Sequence, residues 1–231
     1  MGPFLLLFDI DGTILKVQDG LSKSIFQSVF CNFFRRKQLP LDFDFAGRTD
    51  LEILFLLSLR YDVDFSMVEA NLDSIWKSIL SEFKQKCTRK EIHLCPFVKE
   101  FIEKLSNYKN VALGLLTGNF KESAYYKLKL VELDGYFPFG AFGNESINRS
   151  TLHKIAIARA NEYYSKQIFN IENTFVIGDS IADITSAKEN GIKVVAVATG
   201  TNNANQLYEL EPNLLVHDFN EWERILNFLQ I

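Results

Sequence analysis

The chain has 231 residues, 47% apolar and 23% charged, the proportions of a soluble globular protein built as one large domain or one domain with an insert. A net charge of −4 and a pI near 5.5 argue against a basic field for nucleic acid and against a polybasic membrane anchor. No apolar run approaches the ~20 residues that span a bilayer, and the run at residues 4–8 meets Asp9 too soon to form a signal-peptide core.

In chain order, Phe4-Leu5-Leu6-Leu7-Phe8 is too short for a helix and apolar on both faces. That predicts a central strand of a covered parallel sheet. Within 21–34, Leu21, Ile25, Val29 and Phe33 recur at helical spacing, and helical patterns follow at 51–59, 66–86 and 97–105. The stretch from Lys16 to Ile92 therefore reads as entirely α-helical. From Val111 onward, strand and helix alternate: a strand over 111–116, a helix over 122–130, a short apolar run at 137–142, and a helix over 151–164. A strand at 174–177, a helix at 181–190 closed by Gly191, strands at 193–198 and 214–216 and a helix at 219–229 complete the pattern.

Alternation of this kind predicts an α/β fold, a Rossmann-like parallel sheet with helices on both faces. The helical block falls inside the first crossover and, at about 75 residues, far exceeds what a crossover needs. It is expected to be an inserted all-α domain at 16–95, with residues 1–15 and 96–231 forming the α/β core and hinges near 15–19 and 92–96.

Ligands of parallel sheets bind beyond the carboxyl ends of the strands. Three strands end there in polar residues: Asp9 and Asp11 after the first, Thr117-Gly118-Asn119 after the second, and Asp179 after the strand at 174–177. Three carboxylates in one crevice repel one another unless a cation lies between them, and hard oxygen ligands in that number suit Mg²⁺. Thr117 and the loop N–H groups around it would supply uncharged donors to a phosphoryl group. Each piece has a plainer reading on its own: Asp11-Gly12 as a hairpin turn, Thr117-Gly118-Asn119 as a turn, and Asp179-Ser180 as a helix cap. Their order, each directly after an apolar strand, favours the joint site.

The motifs Asp9-Ile10-Asp11-Gly12-Thr13, Thr117-Gly118-Asn119 and Gly178-Asp179-Ser180-Ile181-Ala182-Asp183 resemble the first, second and fourth motifs of the haloacid dehalogenase-like hydrolase superfamily. The helical insert after the first motif resembles the cap of its phosphoglycolate-phosphatase and β-phosphoglucomutase branch. The resemblance implies a Mg²⁺-dependent phosphatase acting on a small phosphorylated metabolite through an aspartyl-phosphate. Asp9 would be nucleophile and metal ligand. Asp11 would be general acid and base, ligating the metal through its backbone carbonyl. Asp179 would complete the ligands, with Asp183 in support. Thr117, Gly118 and Asn119 would hold the phosphate. For the cation of the third motif, Arg149 and Lys154 are the two candidates, with Arg149 nearer the expected place. The segment Phe45-Ala46-Gly47-Arg48-Thr49-Asp50 resembles the substrate-facing loop of helical caps, which would point Arg48 at the substrate; its plainer reading is a capped helix start.

The same branch contains a phosphoryl-transferring sugar-phosphate mutase, which is the alternative reading. Dehalogenase chemistry lacks a second acid at the Asp11 position, and a catalytically dead binding protein would not be expected to keep Asp9, Asp11 and Asp179 together. Cys31, Cys87 and Cys95, odd in number and in no CxxC spacing, read as thiols of a reducing cytosol, so the expected location is cytoplasmic. His93, His153 and His217 form no metal spacing, and Tyr125-Tyr126 reads as core packing. The expected partner is the small-molecule substrate, with no nucleic acid or membrane, and the expected assembly a monomer or small homo-oligomer. The 21 phenylalanines point to an aromatic-rich core.

Overall fold

The computed structural model describes residues 3–230. In chain order the elements are β1 (Phe4–Phe8), β2 (Leu15–Val17), α1 (Leu21–Phe33), α2 (Asp50–Arg60), α3 (Phe65–Glu69), α4 (Leu72–Lys86) and β3 (Ile92–Leu94). They continue with α5 (Val98–Ser106), β4 (Val111–Leu116), α6 (Lys121–Leu130), β5 (Gly140–Ala141), α7 (Leu152–Tyr163) and β6 (Thr174–Gly178). The chain closes with α8 (Ile181–Glu189), β7 (Lys193–Val197), α9 (Ala204–Tyr208), β8 (Leu214–Val216) and α10 (Trp222–Leu229).

Six strands form a parallel sheet in the order β5-β4-β1-β6-β7-β8, with β1 between β4 and β6. Period-2 alternation drives the layering. Leu6 and Phe8 enter one apolar cluster with α5, α6 and α10, whereas Leu5 and Leu7 enter the other with α7 and α8. Both faces of β1 are thus covered, which is why its five residues are apolar without interruption. The expected α/β fold with a parallel sheet is the one observed.

Two expectations for the helical block need correction. Residues 16–92 are not entirely helical: β2 and β3 pair antiparallel, Leu15 opposite Leu94 and Val17 opposite Ile92, as a separate two-stranded ribbon. Three-residue strands are too short to show a period, and their pairing joins residues far apart in sequence. The helix expected over 66–86 is two helices, α3 and α4, separated by Ala70 and Asn71; Asp64 caps the first with its side chain on the Ser66 N–H. Nor does Asp11-Gly12 make a hairpin. The Ile10 carbonyl accepts from Ile14 and Leu15 N–H at 2.8 and 3.0 Å, turning the chain out of the sheet into the ribbon.

The apolar cluster on the α5 face runs on into α1, α2 and α4 through Phe26, Phe30, Leu54, Leu57, Ile79 and Phe83. Phenylalanine supplies much of this continuity, with Phe8 against Phe137 at 5.7 Å and Phe101 stacked on Phe219 at 5.2 Å between ring centroids. Tyr125 and Tyr126 pack as expected, their hydroxyls donating to the carbonyls of Phe137 and Cys87 at 2.8 and 2.7 Å. All three cysteines are buried and free. No helix among the described residues is long and apolar enough to cross a membrane.

Phe101 is fully buried between two rings, so Phe101→Ala is expected to cost about 3–5 kcal/mol through a cavity that rigid neighbours cannot fill. Urea unfolding followed by far-UV circular dichroism would measure it as a lowered midpoint at unchanged slope.

Candidate active site

Hydrogen bonding of the sheet delivers the polar residues to one edge. The Asp9 N–H donates to the Ile177 carbonyl at 3.0 Å and the Thr117 N–H to the Ala141 carbonyl at 3.1 Å, so each leaves its strand at the carboxyl end. Asp179 follows β6 directly, and Ser180 and Asp183 form a reciprocal cap on α8. Asp9, Asp11, Gly118, Asn119, Arg149 and Asp179 all line one cavity of about 350 Å³.

The carboxylates of Asp9, Asp179 and Asp183 offer oxygens within 4.8 Å of one another, and all three residues are buried. Against these three acids stands one guanidinium. Arg149 Nη2 lies 3.0 Å from Asp9 Oδ1 and 2.5 Å from Asp183 Oδ1. Burial pushes the Asp9 carboxyl up to about 7, with the nearby Asp183 and Asp11 carboxylates adding to it and Arg149 opposing. Burial, then Asp9 and Asp183, raises Asp179 well above the ordinary carboxylate range. Burial works against the charge on Arg149, yet Asp183 and Asp9 hold it firmly protonated.

The donor set fits a divalent cation. Asp183 has its oxygens committed, Oδ1 to Arg149 and Oδ2 to the Ser180 N–H at 3.0 Å and hydroxyl at 2.6 Å. Asp179 accepts only at Oδ1, from the Thr13 hydroxyl at 2.7 Å, leaving Oδ2 for a ligand. Gly12, at φ +92°, lies so close that a Cβ there would fall 2.3 Å from Asp179 Oδ2. Two buried carboxylates with free oxygens and unbalanced charge suit Mg²⁺ or a similar hard ion.

Each expected residue has a definite place. Arg149, at the start of the turn that leads into α7, is buried against Asp9, and the alternative Lys154 is exposed. Thr117 is fully buried and is not among the cavity's lining residues; its hydroxyl oxygen accepts from the Asn119 backbone and side-chain N–H groups at 3.2 and 2.9 Å. The loop's N–H groups are therefore mostly spoken for: Thr117 N–H in the sheet and Asn119 N–H on Thr117. Gly118 N–H donates to no group among the described residues. Arg48 lines the cavity, but its guanidinium pairs with Glu52 one turn on and donates to the Asp44 carbonyl at 2.9 Å.

The loop carrying Arg48 is fastened to the sheet edge. Asp50 N–H donates to the Gly118 carbonyl at 2.7 Å, Leu51 N–H to the Gly143 carbonyl at 3.0 Å, and the Thr49 hydroxyl to the Ile147 carbonyl at 3.2 Å. Phe120 N–H in turn donates to Asp50 Oδ2 at 2.7 Å. Gly118 admits this contact because any Cβ there would lie 2.0 Å from the Arg48 carbonyl oxygen. Thr49 also caps α2, so the plainer reading of that loop holds locally as well.

Two site residues were not picked out from sequence. Lys127 sits on α6 among alternating lysines and reads as a solvated charge, yet it is 1% exposed and holds Asp11. Asp50 reads as an ordinary first-turn acid, yet it is buried between loop and core. Their helical spacing offers no signal, because helix phase cannot reveal which loop covers which face. His153 is buried, and burial lowers it to about 4, so it is a neutral core imidazole.

A family model for haloacid dehalogenase-like hydrolases matches residues 6–197. Among curated proteins, the chain is 22% identical to a pyrophosphatase of Oceanobacillus iheyensis, covering 94% of this chain and 93% of that one. It is likewise 22% identical to a phosphoglycolate phosphatase of Nitrosococcus oceani, over 97% of each. A β-phosphoglucomutase structure from Clostridium difficile superposes with a TM-score of 0.71 at 16% identity, covering 100% of this chain and 98% of that one, a likeness of fold.

Burial lifts the Asp50 carboxyl to about 7, with Lys127 and the Phe120 N–H opposing. An acid raised in the folded state favours folding in its protonated form, and that contribution is lost as pH rises from about 4 through about 7. Asp50→Asn, which keeps the carbonyl acceptor for Phe120, is therefore expected to gain stability over the parent as pH increases across that window. Thermal melts at pH 5 and pH 8 should show the variant's advantage larger at pH 8 by at least about 3 °C, the shift that roughly 1 kcal/mol gives a chain of this length.

Proposed function

The chain belongs to the haloacid dehalogenase-like hydrolases, and from that premise we propose that it is a Mg²⁺-dependent phosphatase that hydrolyses a small phosphorylated metabolite through an aspartyl-phosphate on Asp9. The observation that carries the reading is Arg149 clamped between Asp9 and Asp183, with Asp11 in the same cavity. A carboxylate attacks a phosphate dianion only where positive charge offsets both. The guanidinium beside Asp9 is such a charge, and because its contacts to Asp9, Asp183 and the Leu116 carbonyl all run through Nη2, Nη1 keeps its donors for an incoming anion. The names of the two curated relatives, a pyrophosphatase and a phosphoglycolate phosphatase, agree with this substrate class.

In the proposed reaction an Asp9 oxygen attacks phosphorus while the bond to the leaving oxygen breaks, and Asp11 gives that oxygen a proton. Asp11 then takes a proton from water as the water oxygen attacks the phosphoryl group, freeing Asp9 and inorganic phosphate. Arg149 and the Gly118 N–H, which face the cavity, hold the phosphoryl oxygens, and Thr117, buried behind them, keeps Asn119 in place. Asp9, Asp179 and the Asp11 carbonyl, on which no backbone hydrogen bond among the described residues ends, would hold Mg²⁺. When bound, the ion withdraws charge from the phosphoryl oxygens. Residues 16–95 act as the cap, and the Arg48 loop, fastened over the sheet edge, excludes water and bounds the space left for the rest of the substrate.

Asp9→Asn is expected to fold normally and to lose on the order of 10³-fold or more in turnover, since nucleophile and metal ligand go together. Stoichiometric phosphate release from a panel of phosphorylated metabolites reads the loss, and distinguishes hydrolysis from isomerisation of a sugar phosphate. Beryllofluoride should attach to Asp9 in the parent and nowhere in the variant. Substantial turnover without Asp9 would end the covalent route. A chelator should abolish activity, Mg²⁺ should restore it, and Ca²⁺ should inhibit, because its looser and larger coordination shell ties up both oxygens of the nucleophile.

A further inference from the structure

Lys127 is buried, with 2% of its side chain exposed, at the floor of the cavity. Its ammonium has three donors. They go to Asp11 Oδ1 at 3.0 Å, Asp11 Oδ2 at 2.8 Å and Asn119 Oδ1 at 2.7 Å. Asn119 Nδ2 closes the ring by donating to Asp11 Oδ2 at 2.6 Å. The ammonium also lies over the Phe83 ring, 5.3 Å from its centroid. A lysine whose three donors are all spent on two residues has none left for a phosphate oxygen. Whatever it does for the reaction, it does through Asp11.

The carboxyl of Asp11 is 40% exposed and projects into open space beside three other acids. Unheld, it would sample several rotamers, and a cation at Asp9 and Asp179 would draw it in as an extra ligand. As observed, it is outside the cluster those two acids form with Asp183. We propose that Lys127, with Asn119, is the positioning residue of the general acid: it grips both oxygens of Asp11 and keeps that carboxyl at the substrate side of the cavity, off the cation site. The grip comes from α6, the helix that starts directly after the Thr117–Gly118–Asn119 loop. The Thr117–Gly118–Asn119 loop and the acid's anchor therefore belong to one continuous loop-and-helix segment. This rests on the reading of Asp11 as the acid for the leaving group.

The test is a double-mutant cycle of Lys127→Met and Asp11→Asn, read as kcat/KM for p-nitrophenyl phosphate and for phenyl phosphate. That parameter isolates transfer to Asp9, and phenolate needs a proton far more than nitrophenolate. Lys127→Met is expected to lose about 10- to 100-fold on phenyl phosphate and under about 3-fold on p-nitrophenyl phosphate, and to cost under about 2-fold more once Asp11 is Asn. Inhibition by inorganic phosphate should stay within about 2-fold of the parent, since Arg149 and its neighbours are untouched. Lys127→Gln, which keeps a polar end in the pocket, runs in parallel so that a folded variant is in hand, and the same pattern is expected of it. Equal losses on both substrates, or a full further loss on the Asp11→Asn background, would overturn the proposal. Asp11→Asn that itself affects both substrates equally would instead remove the acid role on which it rests.

Discussion

The fold's functional edge is governed by one electrostatic constraint: acids brought out of water must be matched by cations placed among them. Asp9 and Asp179 converge because the parallel strands β1 and β6 end side by side, and Asp183 joins them from the first turn of α8; they do not attract one another. Desolvation alone would drive protons onto Asp9 and Asp179. Arg149 meets this constraint on one side, taking Asp9 and Asp183 through a single nitrogen, and Lys127 meets it on the other by taking Asp11. A residual negative charge is left beside Asp9 and Asp179, and that residue of charge is what suits the pocket to a hard cation.

The two buried cations are served by different elements, which separates their tasks. Arg149 stands at the entry to α7 on one face of the sheet, and Lys127 on α6 packs toward the other. Arg149 touches the candidate nucleophile and lines the cavity. Lys127 spends every donor on Asp11 and Asn119. Exchanging them would fail on geometry, since a guanidinium fork suits bridging two carboxylates and a compact ammonium suits a closed ring of short bonds.

The loop at 47–51 adds a third constraint. The Asp50 and Leu51 N–H groups and the Asp50 carboxylate are satisfied by carbonyls and an N–H of the core's own loops, so its position over the cavity is set by backbone hydrogen bonding as much as by side chains. Asp50 is thereby buried next to Lys127. The covering loop and the acid's anchor share one electrostatic neighbourhood, and a change in either is felt by the other.

Much of this was legible in the amino-acid order. Uninterrupted apolar runs marked β1, β4 and β6, and polar residues directly after them marked the sheet edge, because a strand covered on both faces can expose chemistry only at its end. Arg149 came by another route, as one of two candidates, with Lys154, for the third-motif cation that the resemblance implies before the helix at 151–164. The ribbon of β2 and β3, the break between α3 and α4, and the roles of Lys127 and Asp50 were not legible. Each depends on a contact between segments distant in sequence: Leu15 with Leu94, Lys127 with Asp11, Asp50 with Phe120. Local pattern decides which face of an element is apolar. Which distant charge a polar face meets, and whether water is excluded from that meeting, is decided only when the chain closes on itself. That is why a lysine with the sequence context of a solvated surface residue became the buried partner of a candidate acid.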